Sequence, residues 1–276
     1  MFDIYPIAVD SLVDLKPLLD RSAGYEVTLQ DEVEYFQRLT NSNGFYARTA
    51  NGRVAGFVRS FQFEPTWSLI EFYVDPDFGY RKLLAYELFQ KFQGQLNLKT
   101  DHRWRVDILH SDTEMNEVIQ ALEFADEVKI FRYFNLDLGT VKMMNQPAGI
   151  VKSADPMDVA EVLSFLSPVS EYDAQMWMND DQIRILKIKN DVVCAAQVFI
   201  NDDCAEIVRI STNPQFKSQG YGSKLIAEFI QELVFKKIPR LFLKVEDKNE
   251  TAVGFYKKLG FQENTSLRQY WYSKTV

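Results

Sequence analysis

Ile210-Ser211-Thr212-Asn213-Pro214-Gln215-Phe216-Lys217-Ser218-Gln219-Gly220-Tyr221-Gly222-Ser223-Lys224-Leu225 reads as the end of a strand, a turn and the start of a helix. Asn-Pro supplies the turn, and two glycines precede the apolar helical repeat. The first residues of a helix have backbone N–H groups without intrahelical acceptors and a partial positive charge. An anion placed there meets both, and a diphosphate can span several such amides. Gly220 and Gly222 put no Cβ in the way of phosphate oxygens, and Lys217 adds a cation at the entrance. A bare Gly-x-Gly turn also begins many helices that bind nothing, so the segment gains its meaning from its neighbours.

Working outward, Val74-Asp75-Pro76-Asp77-Phe78 resembles Thr212-Asn213-Pro214-Gln215-Phe216 at an offset of 214 − 76 = 138, half of the 276 residues. Strands expected over 68–74 and 204–212 each lead through a proline turn into an amphipathic helix. That helix carries Leu84, Leu88 and Phe92 in one copy and Leu225, Ile226, Phe229, Ile230 and Leu233 in the other. Strands follow at 104–109 and 240–245, then short helices ending Leu122-Glu123-Phe124 and Leu259-Gly260-Phe261, then aromatic strands at 130–136 and 268–273. Upstream, opening strands (3–9, 149–152) precede helix pairs (11–20 with 29–40, 157–166 with 170–179) and hairpins (44–49 with 53–61, 183–188 with 192–200). With residues 139–149 as linker, the pattern divides the chain into domains at 1–142 and 145–276, a mixed α/β (α+β) architecture repeated in tandem.

Downstream of the glycine loop stands Asn249-Glu250-Thr251-Ala252-Val253-Gly254-Phe255-Tyr256-Lys257-Lys258-Leu259-Gly260-Phe261. Together with Lys217-Ser218-Gln219-Gly220-Tyr221-Gly222, this series resembles the GNAT superfamily of N-acetyltransferases. The family's loop runs Arg or Gln, two residues, Gly, one residue, Gly or Ala; its later segment runs Asn, Ala, Tyr and a Leu-Gly-Phe end. The resemblance is close from Ala205 to about Tyr270 and rests on element order alone over 148–204. Lys217 departs from the family's Arg or Gln, which implies a modest change in affinity, because backbone amides make the main contribution.

The resemblance implies two GNAT-like domains, each a mostly antiparallel mixed sheet flanked by about four helices. It implies acetyl-CoA as cosubstrate, held by Ile210, Ser211 and Thr212 through the strand backbone and by Lys217, Ser218, Gln219, Gly220, Tyr221, Gly222 and Ser223 through the loop. Asn249 caps the next helix and also lies along the pantetheine arm. Tyr256 is the implied acid for the leaving thiol; without the family it reads as a core aromatic. Glu206 is the candidate base, with a solvent-facing strand carboxylate as the equal alternative; Glu246 and Asp247 are weaker. In the first half Lys82 stands where Gly220 does, Leu84 where Gly222 does, and Ile119 where Tyr256 does, so that copy is expected to bind no cofactor.

A net charge of −8 excludes a general nucleic-acid binder and fits an amine acceptor, small molecule or peptide. It also argues, with the intact phosphate loop, against a tRNA-dependent transferase of the same double shape. Cys194 and Cys204 offer no metal spacing, and a hairpin centred at 201–203 sets Cys204 opposite Ile200; two free thiols and the lack of a signal sequence or spanning segment point to the cytoplasm. The alternative function is a non-catalytic acetyl-CoA or CoA sensor. The acceptor and the oligomeric state are not legible, although residues 157–179, with Trp177, fall where an acceptor would lie.

Overall fold

The computed structural model describes residues 1–8, 43–64, 67–95, 102–142, 151–166 and 181–275, with Ser11, Asp14, Leu15, Leu18 and Met178 between. The expected helix at 29–40 falls outside the described residues, and those at 11–20 and 170–179, with most of the linker, do so for the greater part. The chain packs as two compact units, Met1–Phe131 with Ser266–Val276, and Arg132–Thr265.

In the first unit, β1 (Phe2–Pro6), β2 (Asn43–Thr49), β3 (Val54–Glu64) and β4 (Trp67–Val74) run antiparallel in sequence order. β5 (Arg103–Leu109) then pairs parallel with β4, over Trp67–Ile70 and Arg103–Val106. The helix α1 (Arg81–Gln93) buries Leu84, Ala85, Leu88, Phe89 and Phe92, and α2 (Thr113–Ala121) buries Met115, Val118 and Ile119, in one core with Trp104 and Phe124. Their i, i+4 spacing puts those side chains on a single stripe, and each fully buried side chain larger than alanine contributes about 1.5–3 kcal/mol of transfer free energy.

β6 (Glu127–Asp137) carries the chain from the first unit into the second. There β7 (Val151–Ser153), β8 (Ile183–Ile188), β9 (Asp191–Ile200) and β10 (Ala205–Thr212) are antiparallel, and β11 (Arg240–Glu246) is parallel to β10. Helices among the described residues there include α3 (Val159–Phe165), α4 (Tyr221–Phe235) and α5 (Glu250–Lys258). The last strand, β12 (Gln262–Thr275), returns to the first unit, where Gln269–Thr275 pair antiparallel with β5.

The duplication is written into the registers. Trp67 pairs with Arg103 and Ala205 with Leu241; Gly56 pairs with Val74 and Cys194 with Thr212; each member is displaced by 138. The division at 142–145 follows chain order, whereas the units follow packing, and the two differ in the closing strands. The aromatic strand written at the end of each repeat packs in the unit of the other. β6 neighbours β11, and its Phe134, with Leu136 and Leu138 just beyond, enters the core formed by α4 and α5. β12 takes the corresponding place beside β5, and its Tyr272 donates a hydrogen bond to Asn116 at 2.9 Å.

The Cys204 register needs correction. Ala205 lies opposite Ile200, so Cys204 faces Asn201, not Ile200. The Asn201 side-chain oxygen accepts from the N–H groups of Asp203 and Cys204, and Asn201 N–H bonds the Cys204 carbonyl at 3.0 Å. This local turn centres the hairpin between Asp202 and Asp203. Both cysteines are free and buried.

Candidate active site

The site begins where β10 leaves β11. Their parallel pairing covers Ala205–Ile207 and Leu241–Leu243 only, yet β10 continues to Thr212 and β11 to Glu246. A register shift against β9 between Ile207 and Arg209 marks a bulge at the exposed Val208. One extra residue re-aims the strand beyond it, so Ile210 packs on the same core as Ile207, not on the opposite face. The first-unit counterpart β4 has no shift in register over Ser68–Val74 beyond its start, and its irregularity lies on β3.

After Thr212 a single 3-10 turn, Pro214–Phe216, is capped by the Asn213 side chain, which accepts from Gln215 N–H at 3.1 Å. Ser218 and Gly220 both take positive φ, 62° and 82°. Gly220 is the N-cap of α4, with no side-chain cap and no acidic residue in the first turn. The first helical bond is Lys224 N–H to the Gly220 carbonyl at 3.0 Å, so the N–H groups of Tyr221, Gly222 and Ser223 lie ahead of the ladder. The two glycines serve different ends. Gly220 supplies a left-handed residue with open space around it, while a Cβ on Gly222 would rest 3.6 Å from Thr212 Oγ1 and 3.7 Å from Phe255 Cζ. Both distances are ordinary van der Waals contact, so the helix start lies beside the strand end and α5 without the fold itself demanding a glycine at 222.

Asn249 caps α5 as expected, its Oδ1 accepting from Ala252 N–H at 3.0 Å. Arg132, the first residue of the unit, fixes the turn that carries it, with Nε 2.5 Å from Asp247 Oδ1 and Nη2 3.0 Å from Glu250. Tyr256 is 6% exposed, packed edge-on against Phe255 and Phe261. Burial first, and the neighbouring Cys194 thiol second, push its phenol pKa well above the usual value. Cys194 accepts a hydrogen bond from Thr212 Oγ1 at 3.5 Å, and burial lifts its thiol to about 11.

Glu206 is not a solvent-facing carboxylate. It is 1% exposed, and burial raises its pKa to about 7 against a lowering by Lys244. Lys244 Nζ lies 3.8 Å from its Oε1, while Oε2 has no hydrogen-bond partner among the described residues. Ala205 and Ile207 join the core under α4 and α5, and Glu206 alternates to the other face. Glu246 and Asp247 stand at the end of β11 and in the turn after it. Lys217 is exposed.

At the equivalent place in the first unit, Leu84 is wholly inside the core and Lys82 is ion-paired with Glu117. Ile119 is also fully buried. Arg81 bonds the Val74 carbonyl at 3.0 Å and both oxygens of Asp112 at 2.5 Å. Val74 corresponds to Thr212, and Asp112, the cap of α2, to Asn249. One guanidinium thus bridges the strand end to the helix cap.

Residues 157–261 match the acetyltransferase (GNAT) family. The [ribosomal protein bS18]-alanine N-acetyltransferase of Escherichia coli K12 is 35% identical over 69 residues, 25% of this chain and 47% of that protein. Its namesake in Haemophilus ducreyi is 32% identical over 69 residues, again 25% of this chain and 48% of that protein. The chain spans about half the length of these curated relatives. A tandem GNAT protein from the clavulanic acid biosynthesis pathway superposes with a TM-score of 0.71 over 100% of this chain and 98% of its own at 14% identity. A GCN5-related N-acetyltransferase from Sphaerobacter thermophilus gives 0.72 over 99% and 95% at 12%. At that identity the likeness concerns the fold. Residues 157–261 thus resemble the GNAT acetyltransferases, and the chain shares the fold of a tandem GNAT protein.

Proposed function

We propose that the second unit transfers an acetyl group from acetyl-CoA to an amine. The observation that carries this reading is the parting of β10 and β11 beside an uncapped helix start at Gly220. The residues fit the cosubstrate. Backbone amides at Tyr221–Ser223 suit a diphosphate, Lys217, Ser218 and Gln219 form the approach to them, and the free edge of Ile210-Ser211-Thr212 suits the pantetheine amides as an added strand would. Bound there, acetyl-CoA supplies an activated thioester.

The chain's own residues do the proton work. Glu206, with a pKa near 7, takes a proton from the acceptor ammonium directly or through water, so that the nitrogen is neutral when it forms the new C–N bond. Tyr256, kept protonated by burial, gives its proton to the departing sulfur as the C–S bond breaks. Asn249 holds the start of the helix on which Tyr256 stands. The first unit binds no cofactor, because Arg81 and Leu84 fill the corresponding space. The acceptor is a small-molecule or peptide amine; the curated relatives' name, an N-acetyltransferase for a ribosomal-protein alanine, suits an amine acceptor.

Calorimetry with acetyl-CoA, paired with thiol release over an amine panel, tests the reading. One equivalent bound per chain, abolished by Gly222→Glu with the fold retained, is the expected result. Micromolar binding retained by that variant places the cosubstrate elsewhere. Binding with no thiol release from any amine replaces the transferase by a sensor.

A further inference from the structure

Lys244 is a residue that neither the loop nor the helix motif brings to notice. It sits two positions beyond Phe242, which lies directly across from Glu206 in the parallel pair. Side chains two apart on a strand share a face, so Lys244 projects beside Glu206. Its ammonium is 3.8 Å from Oε1 and 5.9 Å from the ring centroid of Tyr133, and the side chain is 17% exposed. Tyr133 belongs to β6, the strand received from the first repeat. The ring face attracts the ammonium and holds it under cover.

Among the described residues, the surroundings of Glu206 are otherwise poor in charge. β9 presents Phe199 directly across and Gln197 on the diagonal, β6 presents Tyr133, β11 presents Lys244 with Glu246 beyond it, its own strand presents Arg209, and Cys204 stands just before that strand. Arg209 is drawn into interactions of its own. Among the described residues Lys244 is thus the cation in direct reach of the carboxylate, and it reaches one oxygen of the two.

We propose that Lys244 is a positioning residue, which holds Oε1 of Glu206 from beneath the Tyr133 ring and leaves Oε2 to face the acceptor nitrogen. This rests on Glu206 acting as the base. A buried carboxylate without a cation retains its proton to high pH and accepts nothing at neutrality. With a cation on one oxygen, it is ionised in a useful range while the other oxygen remains available.

The test is a titration of the Glu206 carboxyl by NMR in the full chain labelled with 13C-glutamate, its signal assigned by loss in Glu206→Gln. Lys244→Met should raise the midpoint by about one unit or more, a tenfold or greater gain in proton affinity, as loss of an opposite charge within ~4–6 Å does. Lys244→Arg should leave it within a few tenths. Lys244→Gln, closer in polarity, is read in the same way where the methionine variant does not fold. An unchanged midpoint in a folded neutral variant overturns the proposal, since a merely structural lysine would leave it unmoved. The pH dependence of thiol release separates the two levels. An acidic limb abolished by Glu206→Gln and unmoved in Lys244→Met removes the role of Lys244 alone. A limb intact in Glu206→Gln removes the base and, with it, this inference.

Discussion

Replacing Glu206 by Gln should make the second unit more stable at pH 8 than at pH 5, relative to the unaltered chain. The carboxyl titrates near 4.5 in the unfolded chain and near 7 in the folded one, because burial disfavours its charge. Below the lower value both states hold the proton, and the residue makes no difference to stability. Between the two values the folded state binds a proton that the unfolded state has released, so stability falls as pH rises. Above the upper value the whole penalty stands: ~2.5 units at ~1.4 kcal/mol each, or about 3 kcal/mol. Glutamine has no such penalty, although its amide introduces a pH-independent offset. The comparison is therefore a difference of differences, measured as thermal or denaturant unfolding of both proteins at pH 5 and pH 8. At pH 5, about half a unit above the unfolded value, ~0.8 kcal/mol of this penalty already stands, so the gain at pH 8 over pH 5 is ~2.5 kcal/mol, or about 5–10 °C at ~2–4 °C per kcal/mol for a domain of this scale. An offset between the two proteins that is the same at both pH values refutes the reasoning, because it means that Glu206 is not held in a low-dielectric place.

Three further outcomes follow from the same geometry. Tyr256→Phe should lower the rate of thiol release at least tenfold while acetyl-CoA affinity in calorimetry stays within about threefold, as general-acid contributions of ~10²–10⁴ suggest; an unchanged rate over the whole pH profile removes the acid. Gly220→Ala should cost about 1–2 kcal/mol in denaturant unfolding, because φ is 82° there and space is not the obstacle; a neutral result means that the loop has another conformation. A fragment of residues 145–276 should not unfold cooperatively, since it lacks Phe134, Leu136 and Leu138 of the second core, whose loss costs about 2–5 kcal/mol each; a sharp transition would show that this core closes without β6.

The loop and the repeat were legible because they are local. Gly220 and Gly222 mark a helix start in any context, and the 138-residue displacement of Pro76 to Pro214 survives as the same displacement in paired residues. The exchange of β6 and β12 was not legible, since Phe131, Tyr133 and Phe134 make the same alternating aromatic pattern whichever sheet receives them. The bulge at Val208 adds one residue to a strand and leaves no mark in composition. Glu206 stood between apolar neighbours at a position that alternation assigns to solvent, and nothing local revealed that this face of the sheet is covered too. Lys244 escaped notice for the same reason: its meaning comes from Tyr133, which lies 111 residues earlier in the sequence.

The return of β12 has a consequence for synthesis. Gln269 pairs with Leu109, a closure across 269 − 109 = 160 residues, and the Tyr272 hydroxyl reaches back to Asn116. As the polypeptide leaves the ribosome, Arg132–Thr265 has all its parts while the first unit still lacks its closing strand. The earlier-made unit is thus the later to finish, a slow step set by long-range pairing. Until then β5 has an unmet edge, which makes premature termination after about residue 265 a lesion of the amino-terminal unit and an invitation to aggregation.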